Sequence, residues 1–230
     1  MRQLRPASER GHANHGWLKS CHSFSFADYY DPRFMGFSAL RVINEDFIAP
    51  LGGFPTHPHQ EMEILTYVLS GRVAHKDSMG NITEVKAGEF QIMSAGTGIT
   101  HSEFNPSADE ELHLYQIWIR PDQAKVTPRY EQRLFAEVEG LQLLLSADGK
   151  EDSLRVYQDM RLWRWRAGDS GLATTFELAQ GRSLWLQATK GCVDVDGIRL
   201  QPGDGMAIRE ERALQFSSAG LGELLLFDLP

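Results

Sequence analysis

Short apolar segments separated by turn residues make up most of the chain. Between residues 37 and 119, branched and aromatic residues occur in short runs, and Gly, Asn, Asp and Pro separate the runs. This spacing predicts antiparallel strands, because strands that alternate with helices need longer intervals between apolar runs. The clearest predicted strands are residues 39–43, 64–69, 90–93 and 112–119, and residues 77–81 (Asp-Ser-Met-Gly-Asn) predict a hairpin turn.

The same pattern resumes in the second half of the chain. Residues 71–73 (Gly-Arg-Val) and 87–89 (Ala-Gly-Glu) resemble residues 191–193 (Gly-Cys-Val) and 202–204 (Pro-Gly-Asp). Each half also ends on an apolar strand, at 113–119 and at 223–229. A repeat of this length indicates that one β-unit was duplicated. The predicted fold is therefore all-β, with two antiparallel jelly-roll β-barrels packed together.

One segment interrupts the strand pattern. Residues 121–134 contain two prolines, many charges and little periodicity, which predicts a linker at 121–135 with a helical turn near 129–134. The predicted domains are then an N-terminal barrel at 1–120 and a C-terminal barrel at 136–230. The first barrel is predicted to bind metal, because all eight histidines precede the linker: His12, His15, His22, His57, His59, His75, His101 and His113.

Composition and charge narrow the class of protein. A chain of 230 residues, 42% of them hydrophobic, can bury full cores. The two cysteines, Cys21 and Cys192, are predicted to be reduced thiols. A net charge of −8 without a Lys/Arg cluster argues against direct binding to nucleic acid or membrane surfaces. No stretch approaches the roughly 18 apolar residues of a membrane span. We expect a soluble cytoplasmic protein, with a monomer favoured.

Two pairs of side chains have the spacing of a metal site. Residues at i and i+2 of a strand point to the same side, and His57 with His59 and His101 with Glu103 have this spacing. Convergence of the two pairs would bring three imidazoles and a carboxylate together. Such a set suits one divalent transition metal ion (Fe, Mn, Co, Ni, Cu or Zn) better than Mg or Ca. A divalent ion held by neutral imidazoles and one carboxylate gives the site a net charge of about +1. This charge favours an anionic oxygen donor as substrate.

Several other residues leave alternatives open. Glu63 follows His59 by four residues and could replace Glu103 as the carboxylate ligand or orient an imidazole. His75 and His113 are predicted to be hydrogen-bonded structural histidines outside the ligand set. The aromatic N-terminal segments at 11–17 and 24–30 are expected to form either a pocket wall or a cap that closes a barrel end and packs on the second half of the chain. The tryptophans of the second half are predicted to be core residues: Trp163, Trp165 and Trp185.

These residues resemble the two motifs of the cupin family. The first motif, His-x-His-x3-4-Glu-x6-Gly, is matched by His57, His59, Glu63 and Gly71, except that seven residues precede the glycine and the spacing from the leading Gly53 is shorter. The second motif ends in Gly-x2-His-x3-Asn, and residues 98–105 match that ending in full. Gly96 stands where the family usually has proline.

More specifically, the chain resembles the pirin branch of two-barrel cupins, or bicupins. The resemblance covers residues 10–230 and is stronger in the first half, because the second half lacks metal ligands. The residues that carry it are Trp17, Ser23, Phe24, Ser25, Phe26, Tyr29, Asp31, Pro32, Leu40, Arg41, Val42, His57, Pro58, His59, and the segment 94–103. In pirins the carboxylate ligand is the glutamate of the second motif. The resemblance therefore implies His57, His59, His101 and Glu103 as ligands.

The resemblance also implies an activity. Bacterial pirin-like proteins similar to this chain are quercetin 2,3-dioxygenases, which open the flavonol ring with O2 and release carbon monoxide. Glu103 would then be the catalytic base, and the partners would be O2 and a flavonol or a similar enolisable substrate. Two alternatives remain. The chain could be a non-catalytic metal-dependent regulator that acts through protein partners, as eukaryotic pirins do, or an oxygenase on another enolisable substrate.

Overall fold

The computed structural model describes residues 1–230, which form strands, turns and two single-turn 3-10 helices at Ala7–Glu9 and Lys150–Asp152. The first strands in chain order are β1 (Arg2–Arg5), β2 (Gly11–Asn14), β3 (Leu18–His22), β4 (Leu40–Ile48), β5 (Gly53–His59), β6 (Glu63–Ser70), β7 (Arg72–Asp77), β8 (Ile82–Lys86), β9 (Glu89–Ser94), β10 (Ile99–Phe104), β11 (Leu112–Ile119) and β12 (Arg129–Leu134). The remaining strands are β13 (Gly140–Ser146), β14 (Leu154–Arg155), β15 (Arg161–Ala167), β16 (Leu172–Glu177), β17 (Ser183–Gly191), β18 (Val193–Val195), β19 (Ile198–Leu200), β20 (Gly205–Arg209), β21 (Ala213–Ser218) and β22 (Gly222–Leu229).

The chain forms two compact units. The N-terminal unit comprises Gly11–Phe135 and Val156–Gln158, and the rest of the chain forms the C-terminal unit. Each unit contains a seven-stranded and a four-stranded sheet. In the N-terminal unit the strand orders are β12-β9-β6-β11-β4-β3-β2 and β5-β10-β7-β8; in the C-terminal unit they are β1-β20-β17-β22-β15-β13-β14 and β16-β21-β18-β19. The predicted all-β architecture of two cupin barrels is confirmed.

The division between the units differs from the predicted domain boundaries at two places. β1 pairs with β20, so the first ten residues belong to the C-terminal unit. Residues 129–134, expected as a helical turn in a linker, form β12 and pair with β9 in the N-terminal unit. In both cases the added strand satisfies the backbone groups of an exposed sheet edge. A local sequence pattern does not show such a pairing, since it depends on a distant edge.

The predicted duplication is visible at equivalent glycines. Gly71 precedes β7 and Gly191 precedes β18, and both have positive φ, 74° and 60°. A Cβ at Gly71 would lie 3.1 Å from Leu112 Cα, and one at Gly191 would lie 1.9 Å from the Leu221 carbonyl oxygen. Both positions therefore need glycine for the same reasons, backbone conformation and close approach of another segment.

The interior of the N-terminal unit contains polar side chains between two apolar clusters. Along β6, Ile64 belongs to one cluster and Val68 to the other, while the buried Thr66 lies between them. Neighbouring strands repeat this arrangement, because side chains two residues apart point to the same face. The resulting row of paired residues is called the polar layer here, and it consists of His22, Asn44, Gln116, Thr66 and Gln91.

The C-terminal unit has an apolar interior instead. One continuous cluster includes Trp165 and Phe216, Trp163 packs against it, and Trp185 is also buried. The prediction that these tryptophans are core residues is confirmed. Cys21 and Cys192 are both free thiols, as predicted. None of the helices has the length and apolar character needed to cross a membrane.

Candidate metal centre

Three neighbouring strands of the four-stranded sheet carry the candidate ligands. β10 lies between β5 and β7, and His101 is paired with His57 on one side while Glu103 is paired with His75 on the other. A register shift between His101 and Glu103 marks a β-bulge in the β10–β5 pairing. Bulges of this kind redirect side chains near functional sites. Here β10 supplies one histidine and the carboxylate, and β5 supplies His57 and His59.

The structure brings the predicted residues together in two overlapping groups. Ligand atoms of His57, His59 and His101 all lie within 4.8 Å of one another, and the same limit holds for His75, His101 and Glu103. The ring centroids of His57 and His101 are 4.5 Å apart, and that of His59 is 4.9 Å from His101. His101 belongs to both groups. It therefore links the three imidazoles to the carboxylate.

The imidazoles are held in the form that binds metal. The ring nitrogen Nδ1 of His57 donates a hydrogen bond to the Pro55 carbonyl oxygen over 2.8 Å, which places the lone pair on Nε2. Burial, reinforced by neighbouring His57, lowers the pKa of His59 to about 4. Burial also lowers the pKa of His101 to about 3, and His57 and His59 add to that shift. His59 and His101 are therefore neutral at pH 7, as metal coordination requires.

Donor atoms without hydrogen-bond partners fit the chemistry of a bound ion. His101 is 1% exposed, and neither of its ring nitrogens has a hydrogen-bond partner. The same is true of Glu103 Oε1 and His75 Nδ1. A buried polar atom without a partner carries a large desolvation cost, so native proteins rarely contain several at one point. Imidazole and carboxylate donors together suit a divalent transition ion, which would satisfy these atoms.

Glu103 is fixed by a neighbour in the polar layer. Gln116 Nε2 donates to Glu103 Oε2 over 2.9 Å, and Gln116 Oε1 accepts from Trp118 Nε1 over 3.2 Å. The indole can only donate, so this second bond sets the orientation of the amide. Burial raises the pKa of Glu103 to about 7, although the Gln116 hydrogen bond opposes the shift. A nearby cation would favour the ionised carboxylate instead.

His75 lies closer to the centre than the sequence indicated. Its ring centroid is 5.3 Å from that of His101 and 4.8 Å from that of Tyr130, and its Nε2 is 3.2 Å from Asp77 Oδ2. Burial lowers the pKa of His75, and Asp77 opposes that shift. The contact with Asp77 agrees with the predicted role of a structural histidine, but His75 also belongs to the second ligand group, and its Nδ1 has no hydrogen-bond partner.

The remaining candidates lie outside both groups. Glu63 is fully buried, and its Oε2 accepts from Ser94 Oγ over 2.8 Å and from the Tyr157 amide over 3.3 Å. It therefore has a role in packing the N-terminal unit, not in the histidine group. His113 bonds Glu45 over 2.9 Å and stacks on Phe47, as expected of a structural histidine.

A cavity of about 350 Å³ adjoins the centre. Its lining includes Gln116, which bonds Glu103, and Phe54, whose ring centroid is 6.3 Å from that of His57. Trp17 and Phe26 from the N-terminal aromatic segments also line it. The predicted pocket wall is therefore observed for residues of both segments.

The polar layer was not among the features predicted from the sequence. Gln116 and Gln91 occur in strands that otherwise bury apolar residues, and alternation places each on the inner face. An amide on the inner face must find a partner, so each marks a polar contact inside the barrel. This signal was available in the sequence, because the apolar residues on either side define which face is buried.

The fold and this centre define a bicupin protein with a histidine and glutamate metal group in one barrel and an apolar interior in the other. Residues 3–119 match the Pirin family, and residues 143–229 match the quercetinase C-terminal cupin domain. The chain belongs to the pirin family, as the sequence motifs predicted.

Relatives and solved structures cover the whole chain. It is 59% identical to the quercetin 2,3-dioxygenase of Escherichia coli strain K12 over 227 residues, which are 99% of this chain and 98% of that protein. The crystal structure of YhhW from Escherichia coli superposes with a TM-score of 0.97 at 58% identity, covering 100% of this chain and 98% of that one. A structure of bacterial pirin YhhW in complex with nickel(II) gives 0.96 at 58% identity, covering 100% and 99%.

Proposed function

We propose that this protein is a metal-dependent flavonol 2,3-dioxygenase that opens the quercetin ring with O2 and releases carbon monoxide. The observation that carries the proposal is the buried group of unpartnered imidazole and carboxylate donors beside a cavity of about 350 Å³. Small-molecule sites usually have volumes of about 300–1,000 Å³ and mostly apolar walls, as here. The name of the Escherichia coli relative supplies the substrate and reaction type.

The proposed ligands are His57, His59, His101 and Glu103, which hold one divalent transition ion. A bound ion of this class would supply positive charge that stabilises the anion of the flavonol hydroxyl. Nickel(II) is one candidate, because the related pirin structure contains it. The free thiols Cys21 and Cys192 support a reducing compartment, and we propose the cytoplasm.

The chain's own residues have two tasks in this reaction. Glu103 accepts the proton of the flavonol hydroxyl, a role that suits a carboxylate which a neighbouring cation would keep ionised. The aromatic side chains of Trp17, Phe26 and Phe54 pack against the flat rings and exclude bulk water. The flavonol and O2 together supply every atom of the depside ester and the carbon monoxide, so no further co-reactant is needed.

The test is carbon monoxide release and O2 uptake with quercetin, using protein reconstituted separately with Fe(II), Mn, Co, Ni and Cu. His101→Ala should lose metal and turnover together, whereas Glu103→Gln should retain part of its metal and lose turnover. His12→Ala, an exposed histidine outside the centre, is the matched control. Normal turnover in metal-replete His101→Ala would contradict the ligand assignment. No turnover with any ion would favour a regulator or another enolisable substrate.

A further inference from the structure

One wall of the cavity is a strip of four polar side chains on β3 and β4. Ser20 pairs with Asp46 and His22 pairs with Asn44 across the two strands, and all four line the cavity. Each is at most 3% exposed. Alternation along the strands places them on the inner face together, while Lys19 between Leu18 and Ser20 points outward.

Asp46 is the charged member of this strip and differs from most buried acids of the chain. Glu45 and Asp77 each lie beside a histidine, and Asp228 and Glu223 each lie beside an arginine. Asp46 has no such ion pair; its Oδ1 accepts a hydrogen bond from Ser20 Oγ. Burial raises its pKa to about 7, which reflects the same lack of a compensating charge.

A buried carboxyl without a cation destabilises a fold, so stability does not explain its presence. Its position in a cavity wall does offer an explanation, because it can accept hydrogen bonds from a ligand. The cavity lining also contains the aromatic rings of Trp17, Phe26 and Phe54. A ligand that satisfies both the polar strip and these rings has a flat aromatic body and carries hydroxyl groups on one ring.

We propose that Asp46, positioned by Ser20, accepts hydrogen bonds from the hydroxyl groups on the pendant phenyl ring of the flavonol and makes the enzyme prefer catechol-bearing substrates. The inference rests on the proposed function for the identity of the ligand. The pendant ring is attached to the carbon next to the reacting hydroxyl. Gln116 lines the same cavity as the strip and bonds Glu103, so the proposal places the pendant ring against the strip while that hydroxyl lies near Glu103.

The test compares two flavonols that differ only in this ring. Quercetin carries two hydroxyl groups there, and galangin carries none. Binding to the nickel-loaded protein is measured without O2 by quenching of tryptophan fluorescence, for which Trp17 in the cavity wall provides a reporter. The measurement is made at pH 8, where Asp46 is ionised. Because a hydrogen bond to a charged group strengthens binding roughly tenfold or more, the wild type should bind quercetin at least about tenfold more tightly than galangin.

The variant Asp46→Asn loses the charge and keeps one acceptor oxygen, so it should lower the ratio of the galangin to the quercetin dissociation constant, mainly by weakening quercetin binding. Asp46→Ala, which removes the acceptor altogether, should bring the ratio close to one. Lys19→Ala, on the outer face of the same strand, should keep the wild-type ratio. An unchanged ratio in both Asp46 variants would overturn the proposal. An equal loss of affinity for both flavonols would overturn the assignment to the pendant ring.

Failure of this inference can be told apart from failure of the proposed function, because binding is measured without turnover. An Asp46-dependent ratio without carbon monoxide release would keep the binding subsite and reject the dioxygenase. Normal carbon monoxide release with an unchanged ratio would reject the subsite and keep the dioxygenase. With turnover, the expected signature of Asp46→Asn is a higher KM for quercetin and a smaller change in kcat.

Discussion

Gln116 and Glu103 are joined by a hydrogen bond of 2.9 Å in which the amide nitrogen of Gln116 donates to the carboxylate. The other end of the amide accepts from Trp118, so its orientation is fixed. We expect Gln116→Leu to weaken metal binding by roughly 10- to 100-fold, the usual effect of removing a group that orients a ligand. Competition with a chelator of known affinity would measure it.

The control for Gln116→Leu is Gln215→Leu, which makes the same change on an exposed position of the C-terminal unit. Its metal affinity should equal that of the wild type. If Gln116→Leu also bound metal as tightly as the wild type, the hydrogen bond to Glu103 would have no role in holding the ligand.

Gly53 sets the spacing between the two strands that carry the histidines. A Cβ at this position would lie 2.4 Å from the Glu103 carbonyl oxygen and 2.6 Å from Phe104 Cα, both backbone atoms of β10. Gly53→Ala must therefore displace β5 from β10 and separate His57 from His101. We expect a loss of about 1–3 kcal/mol in the free energy of unfolding, together with weaker metal binding.

Urea denaturation and metal titration of Gly53→Ala would check both effects. Gly220→Ala is the matched control, since a Cβ there meets no atom within 4 Å. A Gly53→Ala protein with normal metal affinity would show that β5 can move without disturbing the centre.

Removal of the metal should lower the stability of the N-terminal unit. A ligand that binds only the folded state, and is present at about 100 times its Kd, adds about 2.7 kcal/mol to the free energy of unfolding. For a chain of this size that corresponds to a rise in Tm of about 5–10 °C. Thermal unfolding with nickel and after treatment with a chelator would measure this difference. His101→Ala should unfold at the same temperature in both conditions, and His12→Ala should keep the difference.

The two pairs of candidate metal ligands could be predicted from the sequence more readily than the residues that surround them. The i and i+2 spacing of His57 with His59 and of His101 with Glu103 is a local property of strands, so it could be recognised directly. The proximity of His75 depends on the pairing of β7 with β10, which no local pattern reveals. The sequence predicted a structural histidine at this position, and the alternation of Val73, His75 and Asp77 on the buried face of β7 does not by itself reveal the neighbouring strand.

The predicted linker is a second case in which a local sequence pattern does not reveal the pairing of distant strands. Prolines and charges at 121–135 favoured irregular structure, but residues 129–134 pair with the edge of β9 and bring Tyr130 next to His75. A strand that is half-exposed along its length has no clear apolar alternation. Tertiary pairing therefore decides its structure, as it does for residues 2–5 on β20.

Asp46 is buried without an ion pair, so we expect the stability of the protein to depend on pH. Burial raises its pKa from 3.8 to about 7, and the Ser20 hydrogen bond opposes the shift. Below about pH 4 the carboxyl is protonated in the folded and unfolded states alike. Between pH 4 and 7 the unfolded chain ionises while the folded protein keeps the proton, so this group's contribution to stability falls as pH rises, and above pH 7 it stays at its lowest.

A difference of about three pKa units corresponds to about 4 kcal/mol. We expect Asp46→Asn to become more stable relative to the parent by up to this amount between pH 4 and 7, with no further change above pH 7. Urea denaturation of metal-free protein in a Glu103→Gln background would isolate the effect, because Asp46 also influences the pKa of Glu103.

Ser20→Ala removes the hydrogen bond that lowers the Asp46 pKa, so the fall in stability with rising pH should extend to higher pH. A pH-independent difference in stability between the parent and the Asp46→Asn variant would mean that water or a rearranged side chain already compensates the charge.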